Sequence, residues 1–280
     1  RGLMVPHIAA GSNLNMPLVG SILRHSGAFF LRRKVKGEAL YAAVFLEYLH
    51  LMIDRGFPLE YFIEGGRSRS GRTLAPKAGI LAMTVHSFVR SHSRPLVFVP
   101  VYIGYEKLME GSTYIAELHG RPKKKESLIG LLGAVRLLKS NFGKVYVNFG
   151  PPLALAEFLD AHQPAWRDES AEAQAPWLRS AVDATAATLA RRINALAVVN
   201  PVNLVAVTLL STPKHAADVR LLQRQIEHVQ YLLAETPYAE SVIPCNLPAG
   251  EVIEYARRLD LVECYPHPLG DMIRAAEQQA

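Results

Sequence analysis

The pattern of hydrophobic and polar positions alternates between two periods along the first 150 residues. GAFFLRR at 27–33 is a short aromatic run with a basic exit and predicts a strand. EALYAAVFLEYLHLMID at 38–54 repeats at helical spacing, placing Leu40, Val44 and Leu51 on one face before Gly56 ends the helix. LEYFIE at 59–64 predicts a second strand, and a helix follows over roughly 77–91. RPLVFVPVYIG at 94–104 is a near-continuous apolar run, as a strand buried on both faces requires. A helix near 126–140 and the strand KVYVNFG at 144–150, stopped by Pro151 and Pro152, complete the series. Such alternation predicts an α/β fold: a mostly parallel or mixed sheet flanked by helices.

The pattern then changes. AHQPAWRDESAEAQAP at 161–176 is polar and alanine-rich without an apolar stripe, and it reads as a linker or a solvated helix start. Beyond it the period is helical almost to the end, with Val219, Leu222, Ile226, Val229 and Leu233 repeating along one helix. The expected organisation is an α/β domain over 1–160, a linker over 161–176 and a helical C-terminal region over 177–280. INALAVVNPVNLVAVTLLS at 193–211 is uncharged, but Asn194, Asn200, Asn203 and Pro201 interrupt it. Those amides would be costly at the centre of a bilayer, so a buried or interfacial helix pair is expected instead of a membrane span.

Composition adds a globular chain and an uneven charge. Half of the 280 residues are apolar and 20% are charged, which excludes a disordered chain and allows a large core. The net charge is +6, and its basic clusters at Arg24–Lys36, Arg67–Lys77 and Arg121–Lys125 lie in the first half, which should attract anions. The RPKKK run at 121–125 is a solvated loop that could also dock an acidic carrier protein or anionic lipid. Cys245 and Cys264 have no metal-ligand or disulfide-framework spacing, so a reducing cytoplasm is the expected setting and no metal is implied.

Two basic segments, LRRKVK and EGGRSRSGR, each follow a predicted strand, where open α/β sheets bind ligands. Glycines there let backbone N–H groups approach an anion, and arginine presents a planar fork to phosphate oxygens. Glu64 repels phosphate and would instead accept from a hydroxyl or hold an arginine, so an anionic ligand that also carries hydroxyls fits the mixture. Gly66–Thr73 approaches a P-loop, but Arg72 stands in the lysine position and Pro76 interrupts the helix that should follow. Nucleic acid is disfavoured as a partner, because Tyr61 and Phe62 belong to the strand pattern and leave RSRSGR without stacking aromatics.

GAFFLRR, YFIEGGRSRSGR and VPVYIGYE, in this order with a helix between each, resemble three of the four sequence blocks of the glycerolipid acyltransferases, most closely the bacterial membrane-bound glycerol-3-phosphate type. The resemblance implies transfer of a fatty acyl group from acyl-CoA or acyl carrier protein to the 1-hydroxyl of glycerol 3-phosphate. Dihydroxyacetone phosphate is the alternative acceptor, and a phosphate-ligand binding module without turnover is the alternative role. By the same resemblance Arg33, Arg67 and Arg69 would bind phosphate, Glu64, Gly65, Gly66 and Ser68 would shape the acceptor site, and Pro100 would set a strand end near the donor. No cofactor is implied; the implied setting is the cytoplasmic face of a bacterial inner membrane, against its lipid surface. The first block, H-x-x-x-x-D, supplies the family's base and its orienting carboxylate. None of the ten histidines has an aspartate five residues on, so no catalytic residue is assigned, and the pair is expected on a segment preceding Arg1. His7 and His25 are expected to be structural.

Overall fold

The computed structural model describes residues 4–32, 37–66, 68, 71–91, 93–108, 141–168, 175–268 and 270–276. The fold is mixed α/β, as expected, with several small sheets in place of one extended sheet. Contacts divide the chain into two compact units, Arg1–Pro100 with Pro151–Arg192, and Val101–Gly150 with Ile193–Ala280. The sequence pattern instead placed residues 101–150 with the N-terminal strands. The chain passes between the units three times, and the first two passages fall at Pro100 and Pro151, where a missing backbone N–H interrupts a strand ladder.

The first unit begins with β1 (His7–Gly11), α1 (Val19–His25), β2 (Ala28–Leu31), α2 (Ala39–Asp54) and β3 (Leu59–Glu60). The strands form a parallel sheet in the order β2-β1-β3, with Ala10 level with Phe30 and Ile8 level with Glu60. In α2 the buried stripe is Phe45, Leu49 and Met52, whereas Leu40, Val44 and Leu51, expected to face inward, are exposed. That helix is apolar on most of its circumference, so spacing alone offered two stripes of equal merit. Next come α3 (Gly79–Ser91), the antiparallel pair β4 (Val97–Phe98) and β7 (Leu153–Ala154), α4 (Leu155–His162) and α5 (Pro176–Ala195). Leu81, Val85, Phe88 and Val89 recur along one face of α3 and pack with Leu155, Leu159, Leu178 and Val182 into one core. Trp166 lies inside the stretch expected to be a linker, yet it is 1% exposed. Its indole N–H donates to Asp160 Oδ1 at 2.7 Å, and its ring centroid is 5.6 Å from that of Phe88.

The second unit holds an antiparallel pair, β5 (Val101–Tyr105) with β6 (Val145–Phe149), and the helices α6 (Pro201–Leu210), α7 (Val219–Glu235) and α8 (Ala249–Arg258). It also holds a three-stranded antiparallel sheet in the order β8 (Ala216–Asp218), β10 (Met272–Ala275), β9 (Val262–Tyr265), so the C-terminal region is not purely helical. Pro201 opens α6 at its first turn, and Asn200 and Asn203 cap it reciprocally at 2.9 and 3.2 Å. Two of the three amides that disfavoured a membrane span, Asn200 and Asn203, are therefore capping groups. No helix among the described residues is long and apolar enough to cross a membrane. The expected stripe of α7 faces the core, with Leu222 and Ile226 buried and Val219, Val229 and Leu233 packed beside them. β5 differs from the strand expected to be buried on both faces: Ile103 and Tyr105 are exposed, as are Val145, Val147 and Phe149 on β6. The helix expected near 126–140 lies outside the described residues.

Glu106, which follows β5, fixes this unit. Only 6% exposed, its carboxylate accepts from the Lys144 N–H (2.6 Å), the Tyr146 hydroxyl (2.7 Å) and the Tyr255 hydroxyl (2.5 Å). Gly143 leaves room for it; a Cβ there would sit 2.3 Å from Glu106 Oε2, at a φ of +73° that also favours glycine. Burial first, and then donation to this carboxylate, raise both phenols above their ordinary value of 10.0, Tyr255 to about 12 and Tyr146 further. Below pH 10 the phenols are protonated in the folded and the unfolded chain, so their contribution to stability is complete. Above it the unfolded chain loses the protons first, so stability falls between pH 10 and about 12. Ultraviolet difference titration should therefore find these tyrosines ionising late. In Glu106→Gln they should ionise earlier, though still above pH 10 because burial is the larger cause; an unchanged titration would refute the coupling.

Candidate functional site

Parallel pairing brings the carboxyl ends of β1, β2 and β3 to one edge of the sheet. From the central β1 the chain passes first to β2 on one side and later to β3 on the other. That reversal makes a topological switch point, the place where open α/β sheets bind ligands. Three loops leave this edge. The first is Ser12–Pro17 after β1, which opens with a 3-10 turn and packs against α1, where Gly20 leaves room for Asn15. The others follow β2 and β3 and carry LRRKVK and EGGRSRSGR.

The loop after β3 is closed at its base by three hydrogen bonds. Lys77 N–H donates to Ile63 O (2.8 Å), Gly65 N–H to Phe62 O (3.1 Å), and Leu74 N–H to Glu64 Oε2 (2.8 Å). β3 ends at Glu60, level with Ile8, and Glu64 follows four residues later in the loop that leaves it. Gly65 turns there with φ +58°, and a Cβ would meet the Lys77 stem at 3.1 Å. Gly66 faces open space, so its backbone is accessible to a ligand. The Ser68 hydroxyl oxygen is shielded from solvent and has no hydrogen-bond partner, a state that native proteins keep rare. Tyr61 enters the core beneath the loop, and burial pushes its phenol up to about 12.

The expected site residues thus fall into three groups. Glu64, Gly65, Gly66 and Ser68 share this loop, and the observed partner of Glu64 is a backbone amide. Pro100 is buried at the end of the first unit, between β4 and β5. Arg33, Arg67 and Arg69 lie outside the described residues. His7 sits at the opposite, amino-terminal edge of β1, edge-on to Phe57 at 5.3 Å. His25 ends α1, its Nδ1 2.8 Å from Ser21 O, so neither histidine stands where the loops gather. The loop after β1 was not anticipated. Its signal was HIAAG, a short apolar run ending in glycine before the polar SNLN, now seen as a central strand and its exit.

Two family models divide the sequence, one described as acyltransferase over residues 3–104 and one as glycerol-3-phosphate acyltransferase C-terminal region over residues 114–280. The chain belongs to the glycerol-3-phosphate acyltransferase family. It is similar throughout its length to proteins named glycerol-3-phosphate acyltransferase, with 50% identity to that of Pseudomonas paraeruginosa, 49% to that of Pseudomonas fluorescens and 48% to that of Xanthomonas campestris. All of this chain is matched in each case, against 34%, 34% and 32% of those relatives, so the chain spans about a third of their length. The loop closed by Glu64 and Gly65 falls inside the matched acyltransferase region.

Its geometry makes Gly65→Ala costly by about 1–2 kcal/mol, because an L side chain must then hold a left-handed backbone. Denaturant unfolding should register that loss. Glu64→Ala should speed hydrogen exchange at the Leu74 amide, while Glu64→Gln, which keeps an acceptor oxygen, should largely preserve protection. Equal exchange in all three proteins would show that the carboxylate does not close the loop.

Proposed function

We propose that this chain is the acceptor-binding part of an enzyme that transfers a fatty acyl group from a thioester, acyl-CoA or acyl carrier protein, to the 1-hydroxyl of glycerol 3-phosphate, an early step of phospholipid synthesis. The observation that carries this reading is the loop at the switch point of the parallel sheet, with its base fixed by Glu64 and its glycine backbone open at Gly66. Family membership supplies the reaction class. Arg67 and Arg69, on that loop, and Arg33, after β2, neutralise the phosphate; the Ser68 hydroxyl is available to hydrogen-bond the acceptor. The group that removes the proton from the attacking hydroxyl is not assigned among these residues.

Isothermal titration with glycerol 3-phosphate tests the acceptor. Arg67→Ala and Arg69→Ala should each weaken binding about tenfold or more, since a hydrogen bond to a charged group contributes about 1.5–3 kcal/mol. Dihydroxyacetone phosphate, titrated in parallel, should bind more weakly. Unchanged affinity in both variants, or retention of nucleic acid without any response to glycerol 3-phosphate, would overturn the assignment.

The same reading places the protein peripherally on an anionic lipid surface, at the cytoplasmic face of the inner membrane. Its support is the exposed apolar face of β5 and β6 and the exposed Lys144 beside it; the free cysteines suit a reducing compartment. Co-sedimentation with phosphatidylglycerol vesicles should fall when Phe149 and Val147 are both replaced by serine. Equal recovery of parent and variant would remove this face from the membrane contact.

A further inference from the structure

The exit loop of β1, Ser12–Leu18, takes no part in the phosphate site proposed above, yet it leaves the central strand of the carboxyl edge. Gly11 ends β1 level with Leu31, the last residue of β2, so the loop starts beside the exit of β2. Three backbone hydrogen bonds fold it tightly. Asn15 N–H donates to Ser12 O at 3.1 Å, Gly20 N–H to Met16 O at 2.7 Å and Val19 N–H to Pro17 O at 2.8 Å. The last closes a γ-turn whose central residue, Leu18, has φ 66° and ψ −58°. This form of the turn is rare and strained, and strain of that kind collects at ligand sites, where the surrounding structure holds it. Core packing does not explain it, because Leu18 is 77% exposed.

The chemistry of this loop differs from that of its neighbours. Ser12, Asn13 and Asn15 are neutral and exposed, whereas the segments after β2 and β3 are basic. Asn15 is set against α1, where a Cβ on Gly20 would come 2.6 Å from its Oδ1, so it anchors the turn. Ser12 and Asn13 open the 3-10 turn and face solvent beside the partly buried Leu14. A side-chain amide accepts through Oδ1 and donates through Nδ2, which suits a hydroxyl and adds no charge to balance a phosphate. The acceptor carries both kinds of group. Its phosphate matches the basic segments, and its 1-hydroxyl is the attacking group. Glu64, the acidic candidate for a hydroxyl, is turned to the Leu74 amide. The 2-hydroxyl therefore calls for a neutral partner, and the loop after β1 brings such groups to this edge.

We propose that the loop after β1 reads the 2-hydroxyl of the acceptor, with the Asn13 amide as its hydrogen-bond partner and with Asn15 and the turn at Leu18 as supports. The proposal rests on the acyl-transfer reading above and adds to it the residue that selects the acceptor. Glycerol 3-phosphate and dihydroxyacetone phosphate share the phosphate and the 1-hydroxyl; at carbon 2 one has a hydroxyl and the other a carbonyl. The hydroxyl donates to Asn13 Oδ1, whereas the carbonyl has no proton to give and would set acceptor against acceptor. A site that hydrogen-bonds a substrate hydroxyl rejects the analogue without it, because the protein group then loses its partner.

Isothermal titration of the intact protein tests it with glycerol 3-phosphate, dihydroxyacetone phosphate and 3-hydroxypropyl phosphate, which lacks only the 2-hydroxyl. The unaltered protein should bind glycerol 3-phosphate about fivefold more tightly than either analogue, as one neutral hydrogen bond implies. Asn13→Ala, checked for native circular dichroism, should bring glycerol 3-phosphate down to the level of the analogues and leave theirs within about twofold. Removing the amide and removing the hydroxyl then do not add, which is the mark of a direct contact. Equal affinity of the unaltered protein for glycerol 3-phosphate and 3-hydroxypropyl phosphate would overturn the proposal. So would an equal fall for all three ligands in Asn13→Ala, or no fall at all; in each case glycerol 3-phosphate binding by the unaltered protein keeps the acceptor reading intact. Should Asn13→Ala not fold, Asn13→Gly decides by the same comparison. Absence of binding of all three ligands to the unaltered protein would overturn the acyl-transfer reading along with the proposal.

Discussion

Parallel pairing of β1 with both β2 and β3 is the constraint from which the candidate site follows. Strands that run the same way cannot be joined by a tight turn, so a crossover must return the chain to the starting edge each time. Here α1 and α2 provide the returns, and each strand releases its exit loop at the common carboxyl edge. Placing β1 between its two successors adds the switch point. The ends of β2 and β3, about thirty residues apart in sequence, are thereby brought to one edge of the sheet.

Two glutamates show how strand exits are held, and their surroundings give them different weight. Glu64 binds one backbone amide across a loop exposed to water, where exchange with solvent makes the net contribution of such a bond modest. Glu106 is buried and satisfied by two phenols and an amide, so removal of any partner would strand a polar group away from water. The first fixes the base of a loop; the second locks β5 to β6 and α8 within the second unit. Each needs a glycine nearby for a different reason, Gly65 for its left-handed turn beside the Lys77 stem and Gly143 for close approach to the carboxylate itself.

Apolar residues in this chain do not all serve the core. The stripe expected on α2 is exposed while Phe45, Leu49 and Met52 take the interior, and Ala42, Ala43 and Leu46 line a pocket shared with α3 and α5. β5 and β6 turn Ile103, Val147 and Phe149 outward and place Tyr146 and Asn148 on the other face, where Tyr146 reaches Glu106 and Asn148 Nδ2 donates to Leu196 O. A period identifies a face of an element, but the choice between two apolar faces depends on which neighbour arrives.

The alternation of strand and helix through α3, the amphipathic stripe of α7, the basic segments after β2 and β3, and the family were all legible in the residues alone, because these follow from local period, turn residues and motif order. The residues also showed Glu64, Gly65, Gly66 and Ser68 as one loop. That Glu64 closes that loop on Leu74, that β1 and its SNLN exit lie at the centre of the edge, and that Trp166 belongs to the core emerged only with the fold. The strands β8, β9 and β10 escaped the helical reading because each is three or four residues long, too short for a period to declare itself before its partners pair with it. Grouping of residues 101–150 with the C-terminal unit was likewise hidden, since Glu106 and Tyr255 are 149 residues apart and their hydrogen bond exists only once both segments have folded.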